Sequence, residues 1–203
     1  MIWRNDQVLR EETERILAVA AECLCVEGDF VELGCYKGDT SLLLAEVLQN
    51  YNRGITVENS VEKPVKKLWI YDSFEGLPEK SKRDESALGV DFKKGELSIT
   101  KREVKERFLR SGLPVPVIKK GWFADLKGTD LPGKIAFVFL DGDLYESIRD
   151  SLRLVEAKMS EGGIIIVHDY NNPALPGVVK AVDEWLVGNE RRVEVFQSMV
   201  ILR

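Results

Sequence analysis

No run of apolar residues in this 203-residue chain approaches the roughly 18 needed to span a bilayer, and the opening Met1-Ile2-Trp3-Arg4-Asn5-Asp6 has no apolar leader segment. The expectation is a cytoplasmic chain with no membrane partner. An excess of positive charge is also missing. The formal net charge is −5, which argues against binding to nucleic acid and for a small-molecule partner. Cysteine is scarce: Cys23, Cys25 and Cys35 stand in no C-x-x-C or zinc-like spacing, so neither a disulfide framework nor a thiolate metal cluster is expected. Histidine is scarcer still, the only one being His168. The glycines form neither G-x-G-x-x-G nor G-x-x-x-x-G-K-[ST], the patterns that bring backbone against a dinucleotide or a nucleoside triphosphate. There are no internal repeats and no low-complexity tracts. With 44% hydrophobic side chains, residues 1–203 suit a single domain with one core.

What the chain does have is an apolar strand, Phe30 to Leu33, that runs into a glycine-punctuated turn at Gly34 and Gly38 and then into a helix from Ser41 to Leu48. Such a junction offers free N–H groups and an approach unobstructed by Cβ atoms. Glu32 places an acid inside it. A carboxylate there suits a ligand with a cationic end, such as the sulfonium and ammonium groups of S-adenosylmethionine, better than a diphosphate; the plain alternative is a strand–helix corner with no ligand. A second strand, Lys67 to Asp72, ends in an acid one βα unit later, where a ribose diol would be held; the competing role for Asp72 is capping the following turn. Residues 8–26 carry a helical stripe of Val8, Ile16, Leu17, Val19, Ala20 and Leu24, read as a structural cover for the sheet.

The polar stretch 50–64 reads as a connection. Residues 79–97 read as a long exposed loop, either a lid over the acceptor site or a plain insertion. A helix is expected over 98–112, ended by Gly112, followed by a short strand Val115 to Ile118. That strand delivers Gly121, Trp122 and Phe123 to the same edge, where an aromatic ring could stack on adenine or pack in the core.

The densest chemistry follows. The run Ile135 to Leu140 has the continuous apolar character of a strand buried on both faces, and it ends in Asp141-Gly142-Asp143. A helical stripe of Ile148, Leu152, Val155 and Met159 comes next, ended by Gly162-Gly163, and Ile164 to Val167 repeats the device with His168-Asp169 at its tip. If those two strands pair, Asp141, Asp143, His168 and Asp169 converge at one rim, where crowded carboxylates call for a cation or a proton between them. Such an oxygen-rich set with one imidazole suits Mg²⁺, Mn²⁺ or Ca²⁺ better than a structural zinc site. Asp143 could instead cap the next helix. A helix over 177–188 and two closely spaced, hence antiparallel, strands at 191–196 and 199–202 finish the chain.

Six stretches in order, Val31 to Gly38, Tyr71 to Pro78, Lys120 to Phe123, Leu140 to Ser147, Gly162-Gly163 through Tyr170, and Pro176-Gly177 with Ala181 to Glu184, resemble the macrocin O-methyltransferase family. The resemblance implies a class I methyltransferase: an α/β fold with a doubly wound, mostly parallel, seven-stranded sheet whose last strand is antiparallel. It also implies S-adenosylmethionine as cofactor and methylation, assisted by a divalent metal, of a hydroxyl on a sugar or natural product. Asp141 and the pair His168-Asp169 fall on its metal positions, and the family carries an acid where this chain has His168. Glu32, Gly34 and Asp72 fall on its cofactor site. The full cofactor set expected is Glu32, Gly34, Tyr36, Gly38, Ser41, Asp72, Phe74, Gly121, Trp122, Phe123 and Asp141, and the catalytic set is Asp141, His168 and Asp143. Neutral His168 or a carboxylate is expected to take the hydroxyl proton. A homo-oligomer is compatible with this reading. The competing functions are a metal-dependent hydroxylase-type relative, a cofactor-binding module without catalysis, and, more distantly, a nicotinamide oxidoreductase.

Overall fold

Strand-forming residues alternate with helical stripes along the chain, and in the computed structural model, which describes residues 7–57, 64–89 and 92–203, they build one seven-stranded sheet. In chain order the elements are α1 (Arg10–Glu22), β1 (Asp29–Leu33), α2 (Asp39–Val57), β2 (Leu68–Asp72), α3 (Lys101–Ser111), β3 (Val117–Lys120), β4 (Ile135–Leu140), α4 (Tyr145–Glu156), β5 (Met159–Val167), α5 (Pro176–Leu186), β6 (Val193–Phe196) and β7 (Met199–Leu202). The strand order is β3-β2-β1-β4-β5-β7-β6. Pairing is parallel from β3 to β5, and β7 runs antiparallel to both β5 and β6, as the resemblance implies.

Side chains alternate across a strand, so each face has its own core. Phe30, Phe137, Phe139, Ile164, Ile166 and Ile201 face the side covered by α1, α2 and α3. Val31, Leu33, Val138, Leu140, Ile165 and Val167 face α4 and α5. β4 is buried along its whole length, the consequence of lying at the centre with helices on both faces. The order reverses direction between β1 and β4, and a parallel sheet opens a crevice beyond the carboxyl ends of strands at such a switch.

Four sequence expectations need correction. The helix after the glycine turn does not stop before Asn50 but continues to Val57, and the Asn52 amide clasps both backbone groups of Lys66, two residues before β2, at 2.9 and 3.0 Å. This tertiary contact outweighs the weak local pattern; residues 58–63 of the expected connection, like the opening residues 1–6, lie outside the described residues. β3 begins at Val117, not Val115, because Pro116 has no N–H to give the ladder. Met159 belongs not to α4 but to β5, and the two glycines do not end a helix. Gly162 (φ +76°) and Gly163, where a Cβ would sit 2.8 Å from Met159 Cε, form an irregularity inside β5, matched by a register shift against β4. The loop after β2 is not uniformly exposed: Asp84 is buried within it, while residues 90 and 91 lie outside the described set. No described helix is long and apolar enough to cross a membrane.

Candidate active site

Register fixes the rim. Leu33 pairs with Leu140, and Leu140 with Val167. The ladder continues one step further, with Asp141 N–H donating to Leu33 O and His168 N–H to Leu140 O, both at 2.9 Å. Asp141 and His168 therefore stand side by side at the tips of adjacent strands. Gly34 is demanded by this closeness: at φ +89°, a Cβ there would lie 2.0 Å from Asp141 O. Beyond the four central strand ends the chain turns through left-handed conformations on non-glycine residues, at Tyr36, Phe74, Asp143 and Asp169. Such backbone is costly and persists where the surroundings impose it, as at ligand sites. Between these turns opens a cleft of about 300 Å³.

On the β1–β2 side, the carboxylates are occupied by the protein's own donors. Asp72 accepts from the N–H groups of Cys35 (2.9 Å) and Tyr36 (3.3 Å) through one oxygen and from Phe74 N–H (2.7 Å) through the other. It thus locks the glycine turn onto the end of β2 and, through Phe74 N–H, holds the following turn as the capping alternative expected, while also lining the cleft. Glu32 is 1% exposed and accepts a hydrogen bond from Ser41 Oγ. Burial pushes its carboxyl up to about 8, against the Ser41 hydrogen bond and helped by the charges of Asp141, Asp72 and Asp39.

On the β4–β5 side, the carboxylates surround one ring. His168 is 6% exposed. Its Nδ1 lies 3.0 Å from Asp141 Oδ1 and 3.0 Å from Asp169 Oδ2, and its Nε2 lies 3.5 Å from Glu12 Oε2. Burial alone would lower the imidazole pKa, but the Asp141 charge and the contacts to Asp141, Asp169 and Glu12 hold it far above the usual histidine value. A neutral His168 acting as base does not fit this enclosure, since both ring nitrogens already face carboxylates. Asp143, half-buried beside them, does not cap α4; Leu144 occupies the cap position, with no side-chain cap. Burial first, then the charges of Asp141 and Asp169, raise the Asp143 carboxyl well above the carboxylate range.

Glu32, Gly34, Tyr36, Asp72, Gly121, Trp122, Phe123, Asp141, Asp143, His168 and Asp169 all line the one cleft. Gly38, Ser41 and Phe74 do not: Gly38 (φ +80°) shapes the turn, Ser41 supports Glu32 from behind, and Phe74 packs in the core beneath. Sequence reasoning missed Glu12, which sits on a helix taken for a mere cover. It is 1% exposed and fixed by Ser198 N–H (3.0 Å), Ser198 Oγ (2.5 Å) and Leu9 N–H (3.2 Å). Burial would raise its carboxyl, but His168 and the two Ser198 hydrogen bonds hold it down to about 2. The period-2 alternation Ile164, Ile166, His168, which aims the ring at the face covered by α1, was the available signal.

The donor set fits a divalent cation. Asp141, His168 and Asp169 each offer a ligand atom, and these atoms lie within 4.8 Å of one another. The cleft is also lined by Glu32, Asp39 and Asp72 and by the aromatic rings of Trp122 and Phe123, a lining that could take a cationic ligand bearing a flat ring. Among known proteins, the profile described as macrocin-O-methyltransferase (TylF) matches residues 6–195. The 8-demethyl-8-(2,3-dimethoxy-alpha-L-rhamnosyl)-tetracenomycin-C 4'-O-methyltransferase of Streptomyces olivaceus is 32% identical over 151 residues, which are 71% of this chain and 54% of that protein. The demethyldecarbamoylnovobiocin O-methyltransferase of Streptomyces niveus is 32% identical over 166 residues, 79% of this chain and 58% of that one. The chain thus spans little more than half the length of either relative. Of solved structures, the O-methyltransferase NovP superposes with a TM-score of 0.73 at 27% identity, over 92% of this chain and 78% of that one. The calicheamicin methyltransferase CalS11 gives 0.74 at 18% identity, over 96% and 80%, a likeness of fold.

Proposed function

The chain belongs to the macrocin-O-methyltransferase family, and from that premise we propose that it transfers a methyl group from S-adenosylmethionine to a hydroxyl of a sugar or sugar-bearing natural product, with a divalent cation held by Asp141, His168 and Asp169. The observation that carries this reading is that one cleft runs from the Glu32–Asp72 end to the Asp141–His168–Asp169 rim. A donor ligand and an acceptor hydroxyl can meet in it. The Streptomyces relatives named above include one that acts on a rhamnosyl-bearing compound, which supports a sugar acceptor.

Bound S-adenosylmethionine supplies an electrophilic methyl carbon on a sulfonium. Asp72 keeps the β1 turn in shape by holding the Cys35, Tyr36 and Phe74 N–H groups, and Glu32 is the acid buried under the cationic end. Trp122 and Phe123 offer a flat apolar wall for a base. A divalent cation at the rim, when bound, supplies a Lewis acid that lowers the pKa of the acceptor hydroxyl. Asp143 is the carboxylate placed to take the proton. It lines the cleft between Gly142 and the start of α4, and burial and the charges of Asp141 and Asp169 raise its affinity for a proton, the direction a general base requires. Asp143 would take the hydroxyl proton as the acceptor oxygen accepted the methyl group, the sulfur leaving as a neutral thioether. Holding the oxygen in line with the breaking bond does the rest.

The test is transfer of labelled methyl from S-adenosylmethionine to rhamnosyl and other deoxysugar glycosides. Label in the acceptor, removable only by cleaving a methyl ether, is the expected result. Tight binding of the cofactor with no label transferred to any of these acceptors would leave a binding module on the same fold.

A further inference from the structure

We propose that Glu12 is the positioning residue of the Asp141–His168–Asp169 centre, holding the imidazole by Nε2 so that Nδ1 is the donor turned to the cation, and that this set of one nitrogen and two carboxylates takes Mn²⁺ in preference to Mg²⁺. The inference rests on the proposed cation site and adds to it a supporting residue and a selectivity.

His168 follows Ile164 and Ile166 on the face of β5 covered by α1, so its ring points away from α4 and α5 and toward the N-terminal helix. There Glu12 meets the far side of the ring, 3.5 Å from Nε2, while Nδ1 lies 3.0 Å from a carboxylate oxygen of Asp141 and 3.0 Å from one of Asp169. Glu12 is itself immobilised. Ser198, in the turn between β6 and β7, gives its N–H and its hydroxyl to Oε1, and Leu9 N–H donates to Oε2. A cation entering between Asp141 and Asp169 takes the place of the proton on Nδ1, and the buried carboxylate facing Nε2 keeps the remaining ring hydrogen on that side, so that the Nδ1 lone pair goes to the cation. This is the arrangement by which an outer carboxylate fixes the orientation and basicity of a metal-binding histidine. The first and last elements of the chain, α1 and the β6–β7 turn, are thereby fastened to the rim through one side chain.

The donor set decides the ion. Mg²⁺ is bound by oxygen and keeps its water, whereas imidazole is a ligand of the first-row transition ions, and carboxylates serve Mn²⁺ as well as Mg²⁺. A mixed nitrogen and oxygen set therefore favours Mn²⁺ over Mg²⁺, and replacing the imidazole by a third carboxylate removes the discrimination.

The experiment uses the full chain and the metal alone. Mn²⁺ and Mg²⁺ are titrated by calorimetry, and the Mn²⁺ complex is examined by pulsed electron paramagnetic resonance for a directly bound nitrogen. Expected are a nitrogen coupling in the unaltered protein, Mn²⁺ bound at least about tenfold more tightly than Mg²⁺, and loss of both features in His168→Asp. Glu12→Gln should weaken Mn²⁺ by about 10- to 100-fold, with partial recovery in Glu12→Asp and unchanged affinity for S-adenosylhomocysteine. Mn²⁺ bound without nitrogen coupling, or Mg²⁺ bound as tightly as Mn²⁺, overturns the proposal without any variant having to fold. A folded Glu12→Gln with unaltered Mn²⁺ affinity overturns the role of Glu12. No binding of either ion overturns the cation site as well, and cofactor binding, measured separately, keeps methyl transfer distinct from all of these results.

Discussion

The two ends of the cleft hold acidic groups in opposite ways. At the β1–β2 end each carboxyl is satisfied by the protein's own donors: Asp72 by three backbone N–H groups, Glu32 by Ser41 nine residues on and Asp39 by Arg107 of α3. At the β4–β5 end Asp141, Asp169 and Glu12 are gathered around a single imidazole, and Asp143 stands beside them. The first end is a rigid seat whose acids are engaged by the protein's own donors before any ligand arrives. The second is a concentration of negative charge gathered about one ring, which suits it to bind a cation and to move a proton.

The comparison breaks most readily at Asp143. If the proton leaves through the crowded end, Asp143→Asn lowers kcat by about 10²–10⁴-fold, the usual scale for a lost general base, while the affinity for cofactor changes little. Steady-state turnover with labelled cofactor, together with calorimetry, checks both. An Asp143→Asn enzyme with near-normal kcat would assign proton removal elsewhere.

Glu32 tests the seat from the stability side. Its folded-state pKa of about 8 exceeds the ordinary value of 4.5, so above pH 4.5 the unfolded chain releases a proton that the folded chain retains. Stability is therefore full below about 4.5 and falls as pH rises to about 8, after which the loss is complete. Glu32→Gln is neutral in both states and lacks this decline. Urea unfolding of the ligand-free chain should show the variant similar to the parent near pH 4 and more stable by on the order of a few kcal/mol near pH 8. Parallel curves for the two proteins would show that Glu32 is ionised in the fold. Because a bound cation would draw the proton off, cofactor binding at pH 7 should also release protons in the parent and not in the variant.

Asp72 gives the next smaller effect. Asp72→Ala leaves the Cys35, Tyr36 and Phe74 N–H groups without their acceptor, and cofactor affinity should fall by about 1.5–3 kcal/mol, the range for hydrogen bonds to a charged group. The loss should appear in Kd and KM rather than in kcat, the reverse of Asp143→Asn, and equal losses in both parameters would erase the distinction between the two ends.

This division also explains what the sequence made legible. The seat is written locally: an apolar strand, a glycine turn and an acid at the next strand end are all short-range patterns, and the apolar run Ile135 to Leu140 announces a central strand before any pairing is known. The convergence of Asp141, His168 and Asp169 followed from two such strands lying side by side. Glu12 could not be found in that way. Between Val8 and Ile16 a glutamate reads as the wet side of a helix, and its burial depends on Ser198, 186 residues further along, and on the face to which β5 turns His168. Met159 was lost to the same cause, since a helical stripe continues through it and only pairing of Met159 with Ile135 shows that β5 has begun. Long-range partners, not local propensity, decided each of these positions.

The smallest effect expected is at Asp84, a buried carboxylate outside both ends that sharpens the comparison as a control. It accepts from Tyr145 N–H at 2.7 Å through one oxygen and from Ser81 N–H (3.0 Å) and Oγ (2.7 Å) through the other. It pins the segment after β2 to the first turn of α4, so closely to α5 that a Cβ on Gly177 would lie 1.9 Å from its Oδ1. Nearby, Arg83 stacks on the Tyr145 ring at 4.4 Å, Lys180 Nζ donates to Arg83 O at 2.6 Å, and Ser86 Oγ donates to Pro173 O at 2.9 Å. A lid built from the whole of 79–97 is therefore not expected; any part that closes over an acceptor lies beyond Ser86. Asp84→Asn keeps the acceptor for Tyr145 but turns an amide toward the donors of Ser81, at a cost of about 1 kcal/mol, or roughly 2–4 °C in Tm for a chain of this size. Cofactor affinity and Mn²⁺ binding should stay within about twofold of the parent, because the charge at Asp84 is used up in holding the loop. If cofactor affinity instead fell with stability preserved, the pinned segment would have to count as a third wall of the site, and the separation into a finished seat and an unsatisfied charge cluster would fail at the point where the loop joins them.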